Sequence, residues 1–303
     1  MIANIESLFD LFATFPDEQS CLDHLGELRW RDGEFCPYCG DNRIYHFSDR
    51  KTFKCGACRQ RFSIKVGTIF EDTKLPLRKW FAAIWMITNH PKGIASTTLA
   101  KDLKITQKTA WFVLHRLRHA ARTPSFNVPL KGTVESDTTF VGGKEKNKHA
   151  SKRTGGKQGG HGKAVVLGVI EREGELRAEH IPSDKIEHVH KYVRDNVEPG
   201  SRLMTDEDRA FKGLRGEYVH HAVKHSLGEY VRDDVHSNGI ESVWALLKRQ
   251  IIGIHHWVSE KHLGRYVDEM TWRFNRRDMQ VGPRMNDIFG CIEGRLTYRE
   301  LIA

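Results

Sequence analysis

The sequence has no long hydrophobic run, and this absence argues against a membrane protein. Its most apolar stretch, WFAAIWMIT at residues 80–88, has nine residues, whereas a membrane-spanning helix needs about 20. The first 15 residues hold two acids and no basic residue, which is unlike a secretory signal peptide. We therefore expect no membrane partner and a location in the cytoplasm.

Proline is scarce as well, and acidic residues are outnumbered by basic ones. Nine prolines among 303 residues, together with 39% hydrophobic residues, exclude a collagen-like or disordered chain. Lys and Arg number 48 against 39 Asp and Glu, which gives a net charge of +9. This excess fits a nucleic-acid partner, although it equally serves to keep an ordinary protein in solution. The length suggests roughly two domains of about 150 residues each.

Cysteine is limited to six residues, and four of them form a spaced pattern. Fifteen residues separate the pair Cys36 and Cys39 from the pair Cys55 and Cys58, which is the spacing of a four-cysteine zinc site. Iron bound as in rubredoxin and a redox dithiol are the alternatives. Four thiolates leave no open position on the metal, so we expect one structural zinc ion in a ribbon with short strands at 42–47 and 51–54.

A helix-turn-helix pattern follows the cysteine segment. From Pro76 onwards, apolar residues recur at three- and four-residue spacing, which predicts a helix. Ser96 is then expected to cap a short helix over 97–103, and Thr106 a second helix from about 107 to 122, with a turn at Lys104 and Ile105. An ordinary helical hairpin with a solvated basic face is the alternative.

The second helix of a helix-turn-helix unit enters the major groove of DNA. The residues at its N-terminal end, which would reach the base edges, are Gln107, Lys108 and Thr109. The side chains that we expect to lie largely outward are Gln107, Lys108, His115, Arg116, Arg118 and His119. We therefore assign DNA contacts to Gln107, Lys108, Thr109 and Arg116.

Beyond Pro129 the pattern changes to mixed strands and helices. Strands are predicted at 133–141, 163–171 and 175–181, then a helix at 183–196, a short strand at 201–205 and a late helix from His236 to about Ile252. This order is the one that an RNase H-like domain requires, with a mixed sheet flanked by helices. The predicted class is thus a multidomain α+β protein with an α/β catalytic domain.

Three acids in this segment are candidates for catalysis. Asp137 lies within the first strand, Asp206 follows the fourth strand, and Glu241 lies on the late helix with 34 residues between it and Asp206. Three carboxylates brought together can hold two Mg²⁺ ions, which activate water or a 3′-hydroxyl in phosphoryl transfer. Glu135 and Asp208 remain stand-in carboxylates. Each acid alone also has a plain structural interpretation as a turn residue, a helix cap or an exposed charge.

Polar residues accompany Glu241 on the late helix. Asn238 lies three residues before Glu241 and Lys248 seven residues after it, so all three share one face. Lys248 is placed to contact a phosphate of a bound strand, with Arg249 beside it. We expect His255, His256 and Trp257, which follow the helix, to pack or contact DNA rather than bind metal.

These motifs together resemble those of bacterial insertion-sequence DDE transposases. Such proteins join a zinc ribbon and a helix-turn-helix to an RNase H-like catalytic domain. The matching segments are CPYCG, CGACR, VESDTTFVGG, RLMTDEDRAF and the block from His236 to Arg277, which begins HSNGIESVWALLKRQ. The resemblance covers about residues 25–277, and the last block is its most specific part.

The resemblance implies an enzyme that cleaves and joins DNA with Mg²⁺, or with Mn²⁺ in its place. It implies metal ligation by Asp137 and Asp206, a third ligand from the HSNGIE block, and DNA contact by Lys248. In such transposases the third ligand is either the Asn or the Glu of this block. We favour Glu241, because a carboxylate carries the charge that divalent ions need, and expect Asn238 to orient it or to coordinate through its amide oxygen.

The same resemblance implies double-stranded DNA as partner, both as inverted-repeat ends and as target. It further implies a homo-oligomer on DNA and a nucleoid-associated place in the bacterial cytoplasm. Two other functions stay open: a DNA-binding regulator with an inactive transposase-derived domain, and a nuclease of the same fold that does not join strands. Short inverted repeats flanking the coding sequence would favour the transposase.

The predicted division of the chain has five parts. They are a helical segment at 1–30, the zinc ribbon at 31–70, the helix-turn-helix at 75–123, the catalytic domain at 130–280 and a tail at 281–303. Within the catalytic domain, residues 142–163 are rich in glycine and carry seven Lys or Arg against one Glu. This segment is interpreted as a loop that contacts phosphate or, equally, as a solvated insertion.

Overall fold

The computed structural model describes residues 5–122, 128–143, 149, 151, 160, 162–206, 209–223 and 235–303. The chain forms two compact units, residues 1–121 with 278–303 and residues 122–277. Within the described ranges, no helix is both long enough and apolar enough to cross a membrane.

The elements are numbered here in chain order. The described helices are α1 (Leu8–Thr14), α2 (Glu18–Arg29), α3 (Leu77–Asn89), α4 (Ser96–Leu103), α5 (Gln107–Ala120), α6 (Ile186–Asn196), α7 (Asn238–Gln250), α8 (Glu260–Asn275), α9 (Val281–Gly290) and α10 (Tyr298–Ile302). The described strands are β1 (Ile44–His46), β2 (Phe53–Cys55), β3 (Arg61–Phe62), β4 (Thr133–Val141), β5 (Ala164–Glu171), β6 (Leu176–Ile181), β7 (Arg202–Thr205) and β8 (Val219–Ala222).

The first unit is mostly helical and is built around α3. This helix packs against α1, α2, α4, α5 and α9, and its side chains are buried on nearly every side. A helix that is apolar all round belongs in a core, which explains why so many neighbours surround it. Because α9 is one of them, the C-terminal segment belongs to the same unit as the N-terminal helices.

A small antiparallel sheet of order β1-β2-β3 follows α2. Its register pairs Ile44 with Cys55 and Phe53 with Phe62. The strands predicted at 42–47 and 51–54 are therefore present but shorter, and β3 was missed because only two of its residues pair. Cys55 is the last residue of β2, and Cys58 follows in the turn after this strand.

The second unit contains a five-stranded mixed sheet of order β6-β5-β4-β7-β8. Strands β4, β5 and β6 are antiparallel neighbours, whereas β7 lies parallel to β4 and β8 parallel to β7. Four of these strands agree with the predicted ones to within a residue at each end. The fifth, β8, has the sequence VHHA and no apolar alternation, so the sequence offered no strand pattern there.

Helices cover both faces of this sheet, because β5 is apolar on both faces. Val165, Leu167 and Val169 pack with residues of α6. Ala164, Val166 and Ile170 pack with residues of α7 and α8 on the other face. The predicted class is thus confirmed for a mixed sheet flanked by helices.

Several helix ends differ from the predicted ones. Thr106 caps α5 as predicted, accepting from the Thr109 N–H, but α4 has Ala95 at its cap and already includes Ser96. The Ser96 hydroxyl instead accepts a hydrogen bond from the Gln107 side chain at 2.9 Å. Helix α6 begins at Ile186, three residues after the predicted start at 183, and α7 begins at Asn238 and passes into a π-helical turn.

Candidate functional site

Two of the candidate acids lie on neighbouring parallel strands. Asp137 lies in the middle of β4, and Asp206 follows the last residue of β7. The ladder between these strands pairs Glu135 with Met204. Continued by two residues, this register places Asp206 opposite Asp137, with both side chains on the sheet face that α7 covers.

The third acid, Glu241, comes from the first turn of α7. Its side chain is exposed, and the buried Ser237 hydroxyl, just before the helix, donates to its Oε1 at 3.1 Å. Glu241 also contributes to raising the pKa of Asp137. Three separate elements thus bring one carboxylate each to the same region of the sheet.

The electrostatic surroundings of Asp137 disfavour its charge. Burial raises the pKa of its carboxyl to about 7, with Asp206 and then Glu241 adding to the effect. The Thr138 N–H, which donates to Oδ1 at 2.7 Å, and the Trp244 side chain act in the opposite direction. A cation bound beside these acids would relieve this unfavourable charge, because it favours the ionised carboxylates.

A glycine allows α7 to approach the sheet closely at this point. Gly168 pairs directly with Asp137 across the β4–β5 ladder. A Cβ at Gly168 would lie 2.6 Å from Cη2 of Trp244 and 3.0 Å from Cδ1 of Ile240. The absence of a side chain therefore lets the apolar stripe of α7 rest on β5 beside Asp137.

Other groups donate hydrogen bonds to both carboxylate oxygens of Glu135, one of the two stand-in acids. The side chain is only 1% exposed. Arg172 Nε donates to its Oε1 at 3.0 Å, and the Ile240 N–H donates to its Oε2 at 3.1 Å. Sequence reasoning missed this role, and the only signal for it was the position of Glu135 two residues before Asp137. The other stand-in, Asp208, lies outside the described residues.

The remaining polar candidates lie along α7 and after it. Asn238, Lys248 and Arg249 are all exposed. After the helix, the His255 ring packs against Tyr266 with 4.7 Å between ring centroids, whereas Trp257 is 69% exposed. Most of the basic segment 142–163 lies outside the described residues, so its predicted contact with phosphate stays a prediction.

The four cysteines form a tight cluster in the first unit. Their sulfur atoms lie within 4.8 Å of one another, with Cys36 and Cys58 at 3.7 Å and Cys39 and Cys55 at 3.6 Å. Sulfurs bound to one tetrahedral zinc at about 2.3 Å would lie about 3.8 Å apart. The cluster therefore fits the predicted zinc ribbon.

Two glycines shape the turns around this cluster. Gly40 has a φ of +77°, in the left-handed region that favours glycine. Gly56 lies close to the backbone of Arg43, to whose carbonyl its N–H donates at 2.7 Å. A Cβ at Gly56 would lie 3.0 Å from the Arg43 Cβ, so both turns need the small residue found there.

The three carboxylates of the second unit do not form so tight a group as the cysteines. Among the described residues, only the four cysteines form a group of three or more candidate ligands close enough together to hold one metal ion. Acids that share no cation repel one another, and ligands of a two-metal site are divided between ions about 4 Å apart. Their oxygen donors are the type that Mg²⁺ and Mn²⁺ prefer, so the donor set fits such ions.

Helix α5 presents fewer polar side chains to solvent than we predicted. Gln107 and Lys108 are exposed, with the Lys108 ammonium 4.8 Å from the ring centre of Tyr298. The outward placement of three side chains is wrong, since all of them are buried: His115, Arg116 and Arg118. We predicted exposure for these three residues because their side chains are polar. They lie, however, on the side of α5 that packs against the rest of the unit.

Arg116 shows the physical reason for this correction. Its side chain is 4% exposed and donates to the backbone carbonyl oxygens of Leu296, Ile69 and Glu71 at 2.8 to 3.0 Å. These three carbonyls accept hydrogen bonds from the buried guanidinium, which has five N–H donors in all. Arg116 therefore joins parts of the first unit, and the predicted DNA contact is not retained for it.

Two family models and one relative match this chain. Residues 129–275 match the model of the ISXO2-like transposase domain, and residues 16–61 match that of a transposase zinc-ribbon domain. The chain is also similar to an uncharacterized protein in the transposable element ISH50 of Halobacterium salinarum. The two are 27% identical over 268 residues, which cover 84% of this chain and 90% of that protein.

Proposed function

The chain belongs to the insertion-sequence transposases with an ISXO2-like domain and a zinc ribbon, and from this premise we propose its reaction. It cleaves and joins DNA by Mg²⁺-dependent in-line phosphoryl transfer at Asp137, Asp206 and Glu241. Membership of the family supports a DNA-cleaving and DNA-transferring enzyme, and the proposal adds the residues and the metal.

One observation carries this proposal more than any other. Burial, Asp206 and Glu241 together raise the pKa of Asp137 to about 7, although the three acids come from β4, the end of β7 and α7. A fold gains no stability from bringing like charges together, so such convergence points to a functional site.

The sheet topology adds support. Counted along the chain, the strands of the second unit have the spatial order three-two-one-four-five, with the first three antiparallel and the last two parallel to the first. This order supports our proposal of an RNase H-like catalytic domain, because it makes β4 and β7 parallel neighbours. In the proposal, Asp137 on β4 and Asp206 after β7 act side by side.

Each residue has a distinct role in the proposed reaction. Asp137, Asp206 and Glu241 would hold two Mg²⁺ ions, which activate water or a 3′-hydroxyl and stabilise the leaving oxygen. Ser237 orients Glu241 through its hydroxyl. Lys248, exposed on the same helix face seven residues further on, contacts a phosphate of the bound strand.

Asn238 remains the alternative to Glu241 as third ligand. It is the first residue of α7 and is exposed. We favour Glu241, because its charge already acts on Asp137 and because a carboxylate binds Mg²⁺ better than an amide oxygen. Asn238 then orients Glu241 or adds an amide ligand.

DNA recognition is assigned to the first unit. Helices α4 and α5 pack together across a short turn whose Lys104 has a φ of +48°, as in a helix-turn-helix. The N-terminal side chains of α5 that we propose to contact DNA are Gln107, Lys108 and Thr109. The zinc ribbon, Lys248 and Arg249 add contacts, and the partners are inverted-repeat ends and target DNA.

Strand joining brings two DNA ends together, so we propose a homo-oligomer on DNA. We also propose that the protein works in the cytoplasm, associated with the nucleoid, because its substrate is there. Both statements follow from the proposed reaction.

The experiment uses the full-length chain, a DNA duplex with the sequences that flank its coding region, and Mg²⁺. The wild type should nick the duplex and then join it to a second DNA. The substitutions Asp137→Asn, Asp206→Asn and Glu241→Gln should each lower cleavage about a hundredfold or more, because metal ions stabilise a transition state by several kcal/mol. Asn238→Ala should retain more activity than Glu241→Gln.

The matched control is Asp195→Asn, an exposed acid on α6 on the other side of the sheet. Cleavage by this variant should equal that of the wild type. Cleavage that survives all three catalytic-site substitutions would contradict the proposal. Binding of the ends without cleavage would favour a DNA-binding regulator, and cleavage without joining would favour a nuclease.

A further inference from the structure

Glu135 contacts the start of α7, the helix that carries Glu241. We propose that Glu135 and Arg172 are positioning residues, which hold α7 so that Glu241 faces Asp137. We call Glu135, Arg172 and the backbone of residues 236–240 the Glu135 clamp. The inference rests on the proposed function, since it gives these residues a purpose only if Asp137 and Glu241 bind metal together.

The hydrogen bonds of the clamp join three elements. Glu135 lies on β4, and its Oε2 accepts from the Ile240 N–H in the first turn of α7 at 3.1 Å. Arg172, just after β5, donates through Nε to Glu135 Oε1 at 3.0 Å and through a terminal nitrogen to the His236 carbonyl oxygen at 3.1 Å. His236 Nδ1 lies 3.4 Å from the same Oε1.

A buried carboxylate at a helix N-terminus is well suited to hold that helix. Glu135 is 1% exposed, so its charge needs a partner, which Arg172 supplies. The first backbone N–H groups of a helix have no partner within the helix, and the helix dipole favours a negative charge there. Glu135 meets both needs at once, which explains why α7 begins at this point of the sheet.

The clamp also determines the distance between the candidate metal ligands. Glu135 and Asp137 lie two residues apart on the same face of β4, which is roughly 7 Å along a strand. Glu241 directly follows Ile240, whose N–H contacts Glu135. A shift of the helix at Ile240 would therefore move Glu241 relative to Asp137, while the rest of α7 stayed seated on β5 through Trp244.

Gly239 shows how closely the helix approaches this carboxylate. A Cβ at Gly239 would lie 2.7 Å from Glu135 Oε2, closer than such atoms can approach. The φ of Gly239 is not in the left-handed region, and alanine is the better helix former. An alanine there would therefore displace the Glu135 carboxylate or the first turn of α7, which gives a selective way to disturb the clamp.

The test measures the Mn²⁺ dissociation constant of the zinc-loaded full-length chain at pH 8, by electron paramagnetic resonance of free Mn²⁺. Gly239→Ala should weaken Mn²⁺ binding about tenfold or more, as is typical when a group that orients a metal ligand is disturbed. The double variant Gly239→Ala with Glu135→Asp should bind more tightly than the two single effects combined would give, because the shorter carboxylate leaves room for the new methyl group.

The matched control is Gly264→Ala on α8, where a Cβ would meet no atom within 4 Å. It should bind Mn²⁺ like the wild type. A second variant, Arg172→Met, removes a positive charge near the site, so that electrostatic attraction alone would tighten Mn²⁺ binding. The positioning role predicts the opposite sign, since Glu135 and His236 lose their shared partner and α7 shifts.

The outcomes separate this inference from the proposed function. If Asp137→Asn leaves Mn²⁺ binding unchanged, the metal site fails and the positioning role fails with it. If Asp137→Asn abolishes binding but Gly239→Ala matches Gly264→Ala, only the positioning role is overturned. The positioning role would also be overturned if the two substitutions of the double variant had strictly additive effects on Mn²⁺ binding, or if Arg172→Met bound Mn²⁺ more tightly than the wild type.

Discussion

At the scale of single residues, Asp137 is the side chain whose protonation its surroundings change most clearly within the candidate site. Burial and the charges of Asp206 and Glu241 raise its pKa to about 7. The folded protein without divalent metal therefore holds a proton there that the unfolded chain, with an ordinary aspartate, releases near pH 4. The protonation of Asp137 therefore links both stability and metal binding to pH.

The contribution of Asp137 to the free energy of unfolding should fall as pH rises from about 4 to about 7 in metal-free protein. Over this range the folded state binds the proton more tightly than the unfolded state, and stability falls wherever that holds. The contribution is a few kcal/mol at most, since one pKa unit corresponds to about 1.4 kcal/mol. Urea unfolding of the second unit at several pH values measures it.

Asp137→Asn is the variant that isolates this effect. The unfolding free energy of the wild type minus that of this variant should decline between pH 4 and pH 7. The variant should be more stable than the wild type at pH 8 without metal. Added Mg²⁺ should stabilise the wild type and not the variant. Equal pH dependence in the two proteins would show that Asp137 does not have the raised pKa.

Residue types and spacing predicted Asp137, Asp206 and Glu241, because each lies at the end or middle of a recognisable element. The same reasoning could not assign Glu135 or Arg172. Their roles depend on which backbone N–H and which carbonyl lie beside them after folding, as in the 3.1 Å bond from Ile240 to Glu135. A sequence records no such distances.

At the scale of elements, α5 shows which burial the hydrophobic periodicity of a helix can predict and which it cannot. Its apolar face of Ala110, Val113, Leu114 and Leu117 is buried as predicted, because the 3.6-residue period is set by helix geometry. The burial of its polar residues could not be predicted in the same way. Arg116 is buried because carbonyl oxygens of residues 69, 71 and 296 accept its hydrogen bonds. Those acceptors are distant from Arg116 in the sequence, so no local sequence pattern predicts them.

Arg116→Met should loosen α5 rather than act on DNA directly. Methionine keeps the apolar stem but leaves three carbonyl oxygens without their donor, which costs about 3 kcal/mol. Amides in α5 that exchange through opening of this unit should then exchange about a hundredfold faster. Hydrogen–deuterium exchange followed by mass spectrometry measures this change.

The control for Arg116→Met is Arg249→Met, which alters an exposed arginine on α7. Its exchange in α5 should match the wild type, while its DNA affinity falls and becomes less dependent on salt. Unchanged hydrogen exchange in Arg116→Met, together with a weaker salt dependence of its DNA binding, would contradict the structural role and show that Arg116 contacts DNA.

At the scale of the whole molecule, the sequence indicated a zinc ribbon and a strand–helix domain, but it did not indicate which segments pack into the same unit. The ribbon spacing and the strand–helix order indicated two kinds of unit, and the two family models match separate segments of the chain, residues 16–61 and 129–275. The return of residues 278–303 to the first unit was not predicted. It depends on packing of α9 against α3 and on the bond from Arg116 to Leu296, which are contacts between distant parts of the chain.

Anomalous diffraction from crystals of the full-length chain soaked in Mn²⁺ would locate the proposed metal site directly. We expect two manganese ions about 4 Å apart, bound by Asp137, Asp206 and Glu241, with Glu135 making no contact to either. Manganese bound by Glu135, or bound elsewhere with none at these three carboxylates, would contradict the proposal.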